Sequence, residues 1–191
     1  QITGIFREMT VLENMLSVTG LRVPDRVARA RAEELIAFVN LSGLRAEYGG
    51  RLSYGQQKLL EFARALMTDP DLILLHAPCP GSGIVPRHPD VRWLRRESDI
   101  EQLALQQAML LAALWPLVRP GGRLLYCTCS VFLEEGAHQI GAFLEHNTDG
   151  RLLPSPGHLL PQSGVNARGV PDNALGDHDG FFYALLEKLP R

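Results

Sequence analysis

The chain has 191 residues, 46% of them hydrophobic, which is ample for a packed core and excludes a disordered tail. With 19 basic and 21 acidic residues the net charge is −2, which excludes neither nucleic acid nor small substrates, because a basic groove can sit on a near-neutral protein. Three cysteines, Cys79, Cys127 and Cys129, are too few for a disulfide framework and point to a reducing, cytoplasmic setting.

No apolar run approaches the roughly 18 to 20 residues needed to span a bilayer, so no membrane insertion is expected. The N-terminus lacks the basic and then apolar pattern of a signal peptide. The chain opens on Gln1 without an initiator Met and reads as the continuation of something longer.

In chain order, Thr10-Val11-Leu12-Glu13 has the spacing of a capping box and opens a short helix through Leu16. Pro24 suits a first helical turn, and Ala28, Ala32, Leu35 and Val39 fall on one face of the helix that follows. Ser53, with Gln56 three residues on, caps a third helix whose buried side is expected to be Leu59, Ala63 and Leu66. Leu72 to Leu75 is uniformly apolar, as expected of a buried parallel strand, and the turn beyond such a strand is where open α/β sheets place ligands. Cys79 falls in that turn.

Residues Pro86 to Arg96 are basic with one aromatic, which suits a solvated loop or, through Arg87, His88, Trp93, Arg95 and Arg96, phosphate contact and base stacking. Ser98-Asp99-Ile100-Glu101 reads as a second capping box opening a helix with Ile100, Leu103, Leu110 and Leu114 on its face. After Pro120-Gly121-Gly122, Leu124 to Ser130 reads as another buried strand, which delivers Cys129 to the same rim as Cys79. Buried structural thiols are the common condition of any one cysteine. A pair at adjacent strand ends, in Pro-Cys and Thr-Cys-Ser turns, points instead to thiol chemistry. Without a His at ligand spacing, no metal is expected.

Ala137, Ile140 and Leu144 mark a further helix. Residues 150 to 178 are rich in Gly, Pro, Asn and Ser and read as loop, and Gly180 to Lys188 reads as a closing aromatic strand.

Two resemblances divide the chain near residues 71 and 72. Phe6 to Asn14, Leu52-Ser53-Tyr54-Gly55-Gln56-Gln57 with its flanks, and Pro70 to Leu75 resemble an ABC transporter ATP-binding subunit of the branched-chain amino-acid type. This resemblance implies that Ser53 and Gly55 touch the γ-phosphate of ATP held by a partner subunit and that Gln1 is the Q-loop glutamine. No G-x-x-x-x-G-K-[ST] occurs, and His76-Ala77 stands where that family places Asp-Glu, so ATP hydrolysis by this polypeptide is not expected.

Ala77 to Gly83, Arg87 to Arg96, Leu125 to Val131, Glu134-Glu135 and Asp179 to Tyr183 resemble the C-terminal part of RNA 5-methylcytosine methyltransferases of the bacterial 16S ribosomal RNA (RsmB/Sun) type. This resemblance implies that Cys129 is the nucleophile, that Cys79 assists product release, that S-adenosylmethionine is the methyl donor and that RNA is the substrate. His76 takes the position of the family's cofactor-side Asp. The family's glycine-rich cofactor loop precedes this region, and nothing in residues 1 to 71 is similar to it.

The expectation is therefore an α/β protein: a mainly helical ABC-ATPase-like segment over residues 1–71, then a partial Rossmann-like methyltransferase sheet over 72–191 with strands near 72–76, 123–129 and 180–188. Such a sheet, short of its first strands, keeps an open edge through which the chain could form a homo-oligomer. A methyltransferase, a transporter-ATPase component and a non-catalytic fusion of two fragments are the three functional alternatives.

Overall fold

The computed structural model describes residues 4–19, 23–161 and 179–190. The chain divides into two compact units, Gln1–Pro70 and Asp71–Arg191.

The first unit is helical. Thr10 caps α1 (Val11–Leu16): its hydroxyl accepts from the Glu13 amide while the Glu13 carboxylate accepts from the Thr10 amide. Pro24 precedes α2 (Asp25–Phe38), which buries Ala28, Ala32 and Leu35, with Val39 buried just past its end. Ser53 caps α3 (Tyr54–Leu66) through a reciprocal pair of bonds with Gln56. The buried face of α3 is Leu60, Ala63 and Leu66, whereas Leu59, the expected member, is exposed. Leu59 has the regular helical spacing to Ala63 and Leu66, so spacing alone selects it, but packing of this unit buries the Leu60 side of α3.

The second unit is a four-stranded sheet in the order β1-β2-β4-β3. Its strands are β1 (Leu72–His76), β2 (Arg123–Thr128), β3 (Gly150–Leu159) and β4 (Phe181–Lys188). β1 and β2 are parallel, and β4 runs antiparallel to both β2 and β3. Between β1 and β2 the chain forms α4 (Val91–Leu94) and α5 (Glu97–Leu114), and between β2 and β3 it forms α6 (Ala137–His146).

Alternation along the strands puts Ile73, Leu75, Leu124, Tyr126, Ala184 and Leu186 on one buried face. Leu111 and Leu114 of α5 and Ile140 and Phe143 of α6 complete the core of this unit.

Several expectations are corrected here. The face of α5 is Gln107, Leu111 and Leu114, not the expected Ile100, Leu103 and Leu110. That helix also starts two residues earlier than the Ser98 box implied: the Asp99 carboxylate accepts from the Arg96 amide. In α6, Phe143 is buried where Leu144 was expected. β1 is buried on one face only, since Leu72 and Leu74 are exposed, the latter at 62%. Among the described residues β1 also has a neighbour on one side alone, so it is an edge strand.

Residues 150–159, expected as loop, form β3, while 162–178 lie outside the described residues. Pro154 and Pro156 made this stretch look like a turn. They are accommodated because β3 is an edge strand and its register with β4 shifts between Leu153 and Gly157, where the ladder needs no amide from a proline.

Candidate active site at the carboxyl rim of β1 and β2

The parallel pairing of β1 and β2 sets His76 opposite Cys127, and the Ala77 amide extends the ladder to the Cys127 carbonyl. Both chains then leave the sheet at the same rim, which brings Cys79 and Cys129 together although fifty positions separate them in sequence. Their sulfurs are 3.1 Å apart.

The turn carrying Cys79 is bracketed by Pro78 and Pro80, which fix two φ angles, and it ends at Gly81 with a φ of 76°. Gly83 then packs backbone to backbone against Gly180. A Cβ on Gly83 would overlap the Gly180 carbonyl, the Gly180 amide donates to the Gly83 carbonyl, and the Gly83 amide donates to the Cys129 carbonyl. The two cysteine turns and the entry to β4 are thus joined through main chain.

Beneath the rim lies a fully buried polar cluster. Gln107 of α5 donates from one amide nitrogen to the Pro78 carbonyl and to the Glu135 carboxylate, each at 2.9 Å. The Tyr126 hydroxyl donates to the Gln107 side-chain oxygen. The Ser130 hydroxyl donates to the other Glu135 oxygen at 2.6 Å. Ser82 joins from the Cys79 side by accepting from the Val131 amide. Gln107 therefore straps the backbone before Cys79 to the carboxylate that holds the residue after Cys129. Burial raises the Glu135 acid above the ordinary carboxylate range, against the opposing pull of Ser130 and Gln107.

Sequence reading missed Gln107 as a functional residue. Its signal was available: a Gln lies in register with Leu111 and Leu114 on a face that should be apolar.

The two thiols are made unequal. Cys129 is drawn down to about 6, first by the hydrogen bond from the Cys79 thiol and next by His76, against the effect of burial. Cys79 is pushed up by donating that bond and by burial. The opposite shifts favour the proton on Cys79 and the thiolate on Cys129. Cys127, facing His76 and Tyr183 across the ladder, is raised by burial and by Cys129.

The other expected site residues are dispersed. Arg87 pairs with the buried Asp179 at the entry to β4. Arg95 donates to the Pro80 carbonyl at 3.0 Å and so supports the Cys79 turn. His88, Arg96 and Trp93 are exposed, Trp93 at 84%, and Arg92, Arg95 and Arg96 line a cleft of about 320 Å³ with Pro80 and Phe132. Ser53 and Gly55 lie in the helical unit, the Ser53 hydroxyl engaged as a cap and the space beside Gly55 open. Gln1 lies outside the described residues. Among the described residues no group of three or more His, Cys, Asp or Glu could hold a metal ion, and no helix is long and apolar enough to cross a membrane.

A mixed sheet with a parallel pair, an antiparallel neighbour, covering helices and thiols at the carboxyl rim defines the class: a Rossmann-like S-adenosylmethionine methyltransferase fold. The chain belongs to the family described as 16S rRNA methyltransferase RsmB/F, whose sequence profile matches residues 39–187.

Among its relatives is ribosomal RNA small subunit methyltransferase B of Serratia proteamaculans, 44% identical over 119 residues, which are 62% of this chain and 26% of the relative. The protein of the same name from Cronobacter sakazakii is 48% identical over 118 residues, with the same shares. The crystal structure of PH0851 is similar at a TM-score of 0.51 and 41% identity, over 62% of this chain and 26% of that one. The chain thus spans about a quarter of the length of these relatives. Family membership lends no support to the ATP contacts expected of Ser53 and Gly55.

Proposed function

We propose that residues 72–191 supply the thiol half of an rRNA (cytosine-5) methyltransferase site, with Cys129 as nucleophile and Cys79 assisting product release. The observation that carries this reading is the pair of thiols 3.1 Å apart at one rim, with the Cys129 acid drawn down and that of Cys79 pushed up. Carbon 5 of cytosine is a poor nucleophile until a thiolate adds at carbon 6, and the adduct is resolved only when a second group helps release the modified base. Cys129 suits the first task because its acid is lowered to about 6, which favours the thiolate at neutral pH. The neighbouring Cys79 suits the second. RNA is the proposed substrate, with Trp93, His88 and Arg96 free to meet it at the surface and the target base withdrawn from any stack.

S-adenosylmethionine is the methyl donor that this reading requires, and when bound it supplies an electrophilic methyl group. The described residues do not form its pocket: β1 is an edge strand, so no further strand-to-helix turn stands beyond His76 to enclose a nucleoside. His76 at that rim instead faces Cys129.

The test is covalent trapping. RNA bearing 5-fluorocytosine, offered with S-adenosylmethionine, should form an adduct that Cys129→Ala abolishes, and Cys79→Ala should prolong the adduct with ordinary RNA. An adduct that survives Cys129→Ala, or no adduct at all, overturns the reading.

A second reading concerns residues 1–71 as an ABC-type signature segment offered to a partner's ATP, the chain being a fusion of two fragments joined near residues 71–76. The open space at Gly55 favours it, and the engagement of the Ser53 hydroxyl in its own helix opposes it. A genomic read across the junction that shows no continuous frame would expose the seam as artificial. Nucleotide crosslinking near Ser53 only when an intact subunit is added would support the donor role. We also propose that the unpaired edge of β1, with Leu72 and Leu74 exposed beside it, allows pairing with a second copy, and a clean monomer by light scattering would refute this.

A further inference from the structure

We propose that Cys79 and Cys129 are a modification site: an oxidisable pair that a small disulfide such as glutathione disulfide converts to an intramolecular Cys79–Cys129 bond, reversible by thiols.

The geometry carries it. The sulfurs stand 3.1 Å apart, and a disulfide brings them to about 2.05 Å, so closure asks for about 1 Å of movement. The backbones that present them already belong to adjacent, hydrogen-bonded strand ends: the Ala77 amide bonds the Cys127 carbonyl and the Gly83 amide bonds the Cys129 carbonyl. Gln107 holds the Pro78 carbonyl, Arg95 holds the Pro80 carbonyl and Glu135 holds Ser130, so both turns are fixed from outside and neither sulfur is needed to hold them. Both thiols are free and neither is fully buried. Because the two positions lie far apart in sequence, the bond closes a long loop, which restricts the unfolded chain and favours the linked form once made.

The chemistry balances as two exchanges. The Cys129 thiolate attacks one sulfur of glutathione disulfide, the S–S bond breaks, and one glutathione thiolate leaves. Cys79 then loses its proton to solvent and attacks Cys129 Sγ, forming the internal bond and expelling the second glutathione thiolate. The protein loses two electrons and the one proton of Cys79, and the reagent leaves as two glutathione thiolates, one of which can take up that proton. Cys129 is the attacking sulfur because its thiolate is the one present at neutral pH, and Cys79 is the resolving one. Cys127 lies within the ladder of β2 and takes no part.

This inference does not rest on methyl transfer and needs neither RNA nor S-adenosylmethionine, so its failure and that of the proposed function are separable. Where both hold, oxidation disables the nucleophile reversibly.

The test oxidises the reduced full chain with glutathione disulfide at neutral pH, denatures it in N-ethylmaleimide and maps the peptides by mass. The reduced chain should take up label at all three cysteines. The oxidised chain should be labelled at Cys127 alone, carry a Cys79 peptide joined to a Cys129 peptide, and recover full labelling after dithiothreitol. Cys127→Ala should still close the bond, while Cys79→Ala should stop at a glutathione adduct on Cys129. Full labelling after oxidant, a bridge that includes Cys127, or a glutathione adduct persisting on Cys129 of the unsubstituted chain would each overturn the proposal.

Discussion

The amino end of α3 and the rim of β1 and β2 are both turns built from small and polar residues, yet they leave their reactive groups in opposite conditions. At α3 the Ser53 hydroxyl accepts from the Gln56 amide and the Ser53 amide donates to the Gln56 side chain, so the cap satisfies the helix with its own atoms. At the rim the structural work falls to groups around the cysteines: prolines fix the turn, Gln107, Arg95 and Glu135 hold the carbonyls and the serine, and Gly83 and Gly180 join the backbones. The sulfurs are left to interact with each other and with His76. A polar group becomes available for chemistry when its neighbours carry the fold.

The largest expected effect follows from removing that support. Gln107→Ala strips partners from the Pro78 carbonyl, the Tyr126 hydroxyl and Glu135 in a buried setting, and should cost about 3 kcal/mol of stability in urea unfolding. A cost no larger than that of a surface substitution would mean that the strap does not hold the rim.

Next, Cys79→Ala should sharpen the contrast chemically. Because the Cys129 acid is lowered to about 6, its thiolate persists down to that pH and is lost only below it. Iodoacetamide labelling of Cys129 should therefore already be near its plateau at neutral pH. Without the Cys79 donor the midpoint should move up toward an ordinary thiol, slowing labelling at weakly acidic pH by roughly tenfold or more. An unmoved midpoint would show that the pair is not coupled.

Trp93→Ala tests the exposed basic stretch. It should weaken single-stranded RNA binding by about tenfold at fixed salt while leaving unfolding unchanged, because the side chain is almost wholly exposed. Unchanged RNA affinity would remove Trp93 from the interface. The smallest change belongs to the cap: Ser53→Ala should cost about 1 kcal/mol of stability and leave Cys129 labelling untouched. Full stability in this variant would break the comparison, since the hydroxyl would then be free of structural duty.

Local signals in the chain were read well where a few adjacent residues decide the outcome. The Thr10 and Ser53 caps, the strand at 72–76 and the strand ending in Thr128 all depend on contacts within a few positions. The rim was legible too, because two apolar runs each ended in a cysteine turn and parallel strands end on the same side.

Errors arose where a distant partner decides. Pro154 and Pro156 marked β3 as loop because a bulged edge cannot be seen until β4 is known to lie beside it. The ion pair of Arg87 went unseen because its partner, Asp179, is 92 positions away and buried. Gln107 was passed over because an amide on an apolar helix face gains meaning only from the Pro78 carbonyl and Glu135 that it meets.

Helix caps, strand periodicity and the identity of the two thiols were thus properties of the chain itself, since hydrogen bonds and alternation act over one to four residues. The 3.1 Å approach of Cys79 to Cys129, the division of one proton between them and the buried strap beneath were decided by the tertiary structure. Distances and ionisation depend on which groups pack together, and only the pairing of β1 with β2 under α5 brings these ones into contact.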